Sequence, residues 1–145
     1  MGGGMSTTGR EALNQTNHYR RQHHAGDLTW DKSAARHASS LAKKIARTGR
    51  LEHSGSKKFG ENLAMGTTMD GKRAVDLWYA EVNKYSFGNS NFQPGCGHFT
   101  ALVWKGTGKM GVGRARRRDG SEVVVANFLP PGNMQGRFKE NVLPK

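Results

Sequence analysis

The chain has 145 residues, a formal charge of +12 and an apolar share of only 34%, which suits one domain with one modest core. No run approaches the roughly 18 apolar residues of a membrane-spanning helix. Cys96 is the single cysteine, which excludes an internal disulfide framework and favours a reducing compartment.

Residues 1–9, MGGGMSTTG, carry no periodic pattern and are expected to be a flexible N-terminal segment ahead of a single domain over 10–145. They lack the basic, apolar and small-residue order of a secretory signal, so an intracellular location is expected. Their start fits M-G-x-x-x-[ST], which makes Gly2 a candidate for N-myristoylation once Met1 is removed. A first helix is expected over Arg10–His23, although Leu13, Thr16, Asn17 and Arg20 give it a weak apolar stripe. Leu28-Thr29-Trp30 reads as a short extended link. Asp31 is a good N-cap for a second helix, with Ala34, Ala38, Leu41, Ala42 and Ile45 on one face and Gly49 as its stop.

Residues 50–69 read as a long irregular stretch containing His53 and Glu61, a length that marks function or disorder. Asp70 caps a third expected helix, Lys72–Tyr85. Ala74, Leu77, Trp78, Glu81 and Tyr85 share its stripe, so Glu81 either reaches water at the edge or needs a partner. Residues 88–97 read as loop and His98–Trp104 as a short helix. Residues 110–116 and 122–128 form a hairpin about the Asp119-Gly120 turn signal.

The positive charge favours a polyanionic partner, either nucleic acid or an anionic membrane face. It is dispersed over pairs such as Arg20-Arg21, Lys43-Lys44, Lys57-Lys58 and Lys72-Arg73 and over Arg116 to Arg118, and ordinary solvated surface accounts for it as well. No helix-turn-helix, RRM or zinc-finger signature accompanies the charge.

Four groups carry candidate chemistry: His53, Glu61, Glu81 and His98. Two imidazoles and two carboxylates can ligate a divalent metal or share protons across a cleft. The spacing alone is a weak signal, with no H-E-x-x-H and no C-x-x-C pair. Ser54 beside His53 is a poor nucleophile candidate, because adjacent residues rarely face each other productively. Cys96, two residues before His98, is either an unpaired loop thiol or a third soft ligand. His18, His23, His24 and His37 read as surface groups on helix ends or polar faces.

The blocks HSG…FGENLAMG, AVDLWYAEVNKYSF, GHFTALVWKGTGKMGVG and VVVANFLPPGN resemble, in order, the signature blocks of the CAP superfamily of cysteine-rich secretory, antigen 5 and pathogenesis-related 1 proteins. Together with the absence of a signal peptide and the closing ENVLP, they are most similar to its non-secreted, Golgi-associated branch. The resemblance implies an α+β fold, an α–β–α sandwich with a small antiparallel sheet between helices. It places His53, Glu61, Glu81 and His98 on a cavity tetrad whose two histidines, His53 and His98, can hold zinc or another divalent ion that the fold does not require. It implies a peripheral protein of the cytoplasmic face of the Golgi or other endomembranes. Its partner would be an anionic phospholipid surface, with N-myristoylation at Gly2. It allows a homodimer, gives no reason to expect nucleic acid, and links the aromatic stretch Tyr85, Phe87 and Phe92 to sterol binding in some relatives. Secure enzyme activity is not a general property of the family. A metal-dependent hydrolase using the tetrad is the alternative reading, and a basic nucleic-acid binder the second alternative.

Overall fold

The computed structural model describes residues 5–145. Helix α1 spans Thr7–Gln22, strand β1 Thr29–Trp30, helix α2 Lys32–Thr48, strand β2 Gly60–Gly66 and helix α3 Gly71–Tyr79. A 3-10 segment follows over Ala80–Lys84, then helix α4 over Gly97–Leu102, strands β3 over Lys109–Arg116 and β4 over Glu122–Leu129, and helix α5 over Phe138–Asn141. The four strands form one sheet in the order β1-β3-β4-β2. The three long strands are antiparallel neighbours, and the two-residue β1 adds a parallel edge.

The sheet separates two apolar layers. Successive strand residues point to opposite faces. Met110, Val112, Val124, Ala126 and Phe128 therefore join the larger core, with Ala12, Val75, Trp78, Phe99 and Leu102 from α1, α3 and α4. Leu63, Val123 and Val125 face the other way, onto Ala38, Leu41, Ala42 and Ile45 of α2. Helix α2 lies close on this face because Gly111 and Gly113 of β3 sit directly beneath it. A Cβ on either would collide with the α2 backbone at Ala35 or Ser39. The architecture is thus an α–β–α sandwich in which, among the described residues, α2 alone forms one outer layer.

The capping signals hold. The Asp31 carboxylate accepts from the backbone N–H of Ala34 at 2.8 Å, and Gly49 ends α2 at φ 75°. Asp70 accepts from Arg73 at 2.7 Å. The β3–β4 hairpin forms as expected.

Four expectations need correction. Residues 7–9 are not part of a flexible start. They form the first turn of α1, because the Ser6 hydroxyl accepts from the N–H of Gly9. The stretch 50–69 is not irregular throughout: GENLAMG pairs along its whole length with β4, from Gly60 opposite Phe128 to Gly66 opposite Glu122. Its glycines and asparagine weaken strand propensity, and the apolar β4 partner overrides them. The third helix ends at Tyr79 and tightens into the 3-10 segment, while Leu77 from its expected apolar stripe is half exposed.

The fourth correction concerns Arg20 and His23, read as solvated charge and as a surface group. Thr16, Asn17 and Arg20 form the buried face of α1, the stripe they were expected to share. Arg20 is 1% exposed, and its guanidinium donates to the carbonyls of Gly26, Leu102, Trp104 and Thr107 at 2.7–3.1 Å. Burial pulls its pKa down to about 10, so it stays charged at neutral pH. His23 is also buried rather than on the surface. It is held between the Leu143 carbonyl (2.7 Å) and the Tyr79 hydroxyl (2.8 Å).

Candidate functional site

A cleft of about 350 Å³ opens at the free edge of β2, lined by His53, Glu61, Asn62, Glu81, Phe92 and His98 among others. Its position follows from the strand. Glu61 and Asn62 are consecutive and point to opposite faces of the sheet, so an edge strand offers both to one opening.

On the α2 side, Glu61 is the hub. Its Oε1 accepts from the backbone N–H of Ser54 (2.9 Å) and lies 3.0 Å from Nδ1 of His53. Its Oε2 accepts from the Ser54 hydroxyl (2.8 Å) and from Nδ2 of Asn127 (3.0 Å). Burial alone would push the Glu61 carboxyl up. The hydrogen bonds from Ser54, Asn127 and His53 together outweigh it and hold the group below its ordinary range. The Ser54 hydroxyl donates to the carboxylate and not to an imidazole, so no Ser–His pair exists here.

On the other side, Glu81 sits in the 3-10 segment. Its Oε1 accepts from the N–H groups of His98 (2.9 Å) and Phe99 (3.0 Å), and its Oε2 lies 2.7 Å from Nδ1 of His98. Glu81 thus has partners and stays partly open to the cleft: it caps α4. Asn62 donates to the His98 carbonyl at 3.1 Å and ties α4 to β2.

The two halves repeat one arrangement. A carboxylate accepts only, so each imidazole carries its proton on Nδ1 and turns the lone pair of Nε2 outward. A carboxylate on the far nitrogen is the orientation that metal-ligating histidines adopt. Two imidazoles are fewer donors than the three or four that protein zinc sites supply. Among the described residues, no group of three His, Cys, Asp or Glu side chains is placed to hold an ion. Cys96 is not a third ligand. It is buried in the main core, its Sγ 3.9 Å from the Glu81 carbonyl, and burial pushes its thiol pKa up.

Sequence reasoning missed the supports of the cleft. His37, on α2, is bonded through Nδ1 to Oδ1 of Asn127 at 2.8 Å and lies 3.8 Å from Glu61, behind the first histidine. Asn133 donates to the Gly97 carbonyl at 2.9 Å and accepts from the Thr100 hydroxyl at 2.7 Å, pinning the 132–137 segment to α4. The available signal was the asparagine closing PPGN, whose positive φ of 56° suits that residue. Of the aromatic stretch, Tyr85 packs into the core against Phe99. Phe92 is 46% exposed at the cleft mouth. Gly2 lies outside the described residues.

Comparison with known proteins gives relatives in sequence and in fold. The chain is 44% identical to the human Golgi-associated plant pathogenesis-related protein 1 over 140 residues, covering 92% of this chain and 91% of that one. It is 40% identical over 116 residues to a pathogenesis-related protein of PR-1 type from Sambucus nigra, covering 77% of this chain and 70% of that one. Among solved structures, that of BmVAL-1 superposes with a TM-score of 0.80 at 21% identity, over 99% of this chain and 86% of the other. The crystal structure of NaASP2 with Zn2+ gives 0.75 at 24% identity, over 98% and 88%. The profile of the CAP family, the cysteine-rich secretory protein family, matches residues 13–128, and the chain belongs to that family.

Proposed function

We propose that the protein is a peripheral membrane protein that binds anionic phospholipid at the cytoplasmic face of the Golgi or another endomembrane. The observation that carries this reading is the outer face of α2. Lys32, Arg36, Lys43 and Arg47 are all exposed and fall within an arc of about 60° at 3.6 residues per turn. Lys44 flanks them, and no acidic residue occurs anywhere in Lys32–Thr48. The helix is about 25 Å long, lies alone on its side of the sheet, and so presents one cationic band. No described helix is long and apolar enough to cross a membrane.

Cations close to an anionic bilayer contribute about 1 kcal/mol each. Four or five facing it give a reversible attachment that a single acyl chain would complete, since one myristoyl group alone binds marginally. N-myristoylation at Gly2 is part of the proposal. The human relative's name, Golgi-associated, supports the location. The test is partition of the protein between anionic vesicles and single-stranded RNA at matched salt. Preference for vesicles supports the reading, and preference for RNA would replace it with a nucleic-acid function.

A second reading belongs to the cleft. Both imidazoles present Nε2 while a carboxylate holds Nδ1, which favours weak binding of zinc or a similar divalent ion between His53 and His98. The ion would act there as a Lewis acid.

A further inference from the structure

Beyond the helical band, the structure holds a second cationic feature of a different kind. An open cleft of about 480 Å³ lies between the end of α2 and the β3–β4 turn, lined by Ala46, Arg47, Arg117, Arg118 and Asp119. We propose that this cleft is a binding site for a phosphate monoester, presented by a lipid headgroup or carried on a small soluble molecule.

Three arginines from two separate elements line this hollow, unlike the single row of α2. Arg117 is fixed in place. Its Nε donates to the Ala46 carbonyl at 3.2 Å, and its Nη2 lies against Gly49, where any side chain would collide with it. Its position over the last turn of α2 also offsets the partial negative charge of that helix end. The turn carrying it is tight: the N–H of Arg117 donates to Ser121 at 2.8 Å and that of Gly120 to Arg117 at 3.0 Å. Among the described residues, neither Arg47 nor Arg118 takes part in any salt bridge.

The one acid present is already engaged. Oδ1 of Asp119 accepts from the N–H (2.9 Å) and the hydroxyl (2.6 Å) of Ser121, and Oδ2 lies 3.7 Å from Nη1 of Arg117. Three cations against one occupied carboxylate leave the hollow net positive. Guanidinium forks match the oxygens of phosphate in paired hydrogen bonds. A phosphate monoester carries about −1.5 to −2 charges at neutral pH and three terminal oxygens, whereas a diester carries one charge and two free oxygens. A hollow with Arg47 and Arg118 free of salt bridges beside a fixed Arg117 therefore discriminates in favour of the monoester, which a flat row of cations does not. The cleft adjoins Arg47, the last residue of the α2 band, so a headgroup could enter it while the band lies on the bilayer. The lipid source of the ligand rests on the membrane reading; the anion site does not.

The experiment compares vesicles containing phosphatidic acid, a monoester, with vesicles containing phosphatidylserine, a diester, at equal surface charge. Glycerol 3-phosphate, titrated by NMR, is the soluble arm. The wild-type chain should favour phosphatidic acid by about tenfold, and glycerol 3-phosphate should shift the amides of Arg117 to Ser121. Arg118→Gln with Arg47→Gln, which leaves the Arg117–Ala46 bond intact, should bring the ratio to about one. Lys32→Gln with Arg36→Gln and Lys43→Gln should weaken both lipids together and keep the ratio. Equal affinity of the wild type for the two vesicles, with no shift of these amides by glycerol 3-phosphate, overturns the site and leaves the membrane reading standing. Binding of glycerol 3-phosphate at these amides without binding to either vesicle sustains the site and overturns the membrane reading. An unchanged lipid ratio in the Arg118→Gln, Arg47→Gln variant also overturns the site.

Discussion

The Glu81 carboxylate holds residue 98 at two points, with Oε2 2.7 Å from Nδ1 of His98 and Oε1 2.9 Å from its backbone N–H. The same oxygen takes the N–H of Phe99 at 3.0 Å. Cys96, at the N-cap of α4, supplies no side-chain cap, so a residue from another element serves α4 in its place. Hydrogen bonds to a charged group contribute about 1.5–3 kcal/mol. Glu81→Gln keeps one acceptor but sets an amide N–H against the Nδ1–H of His98, and should cost about 2 kcal/mol in urea unfolding. A Glu81→Gln protein as stable as the wild type would show that α4 does not depend on this cap.

Arg20 supplies the second prediction. Its guanidinium satisfies four carbonyls that no other side chain donor reaches among the side-chain bonds of the described residues. Trp104 keeps the N–H of Thr107 and Gly26 is exposed, so removing Arg20 strands chiefly the Leu102 and Thr107 carbonyls, at about 1–3 kcal/mol for each group that water does not reach. Arg20→Met should lose about 3 kcal/mol by this reasoning. Arg20→Lys should recover little, because an ammonium has three donors and no planar fork. Thermal unfolding of the two variants checks this; full rescue by lysine would mean that charge, not fork geometry, matters.

Sequence legibility followed the type of signal. Helix α2 was readable because its cap, its apolar spacing and its terminal glycine all point the same way, and each acts locally. The hairpin was readable for the same reason. Strand β2 was not, since Gly60, Glu61, Asn62 and Gly66 have little strand propensity of their own and depend on β4, some 60 residues later. Arg20, counted among solvated charges, and His23 were misplaced because such reading equates polar with exposed. Their partners are backbone carbonyls and a tyrosine hydroxyl from distant segments, which no periodicity reveals. The four cleft residues came from the family resemblance; their spacing carried little. Their supports, His37, Asn127 and Asn133, went unassigned because each acts through long-range hydrogen bonds.

The pH profile of stability should have two acid steps. His23 is lowered from its ordinary value, first by burial and further by the nearby charges of Lys145 and His24, against the Leu143 hydrogen bond that raises it. The unfolded chain therefore binds this proton more readily. Stability is complete above the unfolded value of about 6.5 and declines as pH falls below it. The Glu61 carboxyl is also held low. Its contribution is present above the unfolded value of about 4.3 and is lost as pH falls through the folded value. Urea midpoints from pH 8 to pH 3 should show both declines, with His23→Gln removing the first and Glu61→Gln flattening the second. A His23→Gln protein with the wild-type slope between about pH 6.5 and 5 would contradict the assignment.

Zinc binding should be weak and should depend on both halves of the cleft. His53→Ala with His98→Ala should abolish the calorimetric signal, and either alone should reduce it about tenfold or more. Affinity should fall from pH 7 to pH 5, since a protonated imidazole has no lone pair to donate. Zinc affinity unaffected by the double substitution would place the ion elsewhere.

The membrane claim is tested most directly by flotation with phosphatidylcholine vesicles, with and without phosphatidylserine, using wild type and the Lys32→Gln, Arg36→Gln, Lys43→Gln variant without acylation. Three cations at about 1 kcal/mol each correspond to roughly a hundredfold in affinity. Wild type should float only with the anionic vesicles at 0.1 M salt and be released at 1 M, as the Debye length shrinks from about 10 Å to about 3 Å. The variant should bind the anionic vesicles about a hundredfold more weakly at 0.1 M salt and be released at 1 M. A variant that floats as well as the wild type, or a wild type that binds neutral and anionic vesicles equally, would contradict the assignment of α2 as the membrane face.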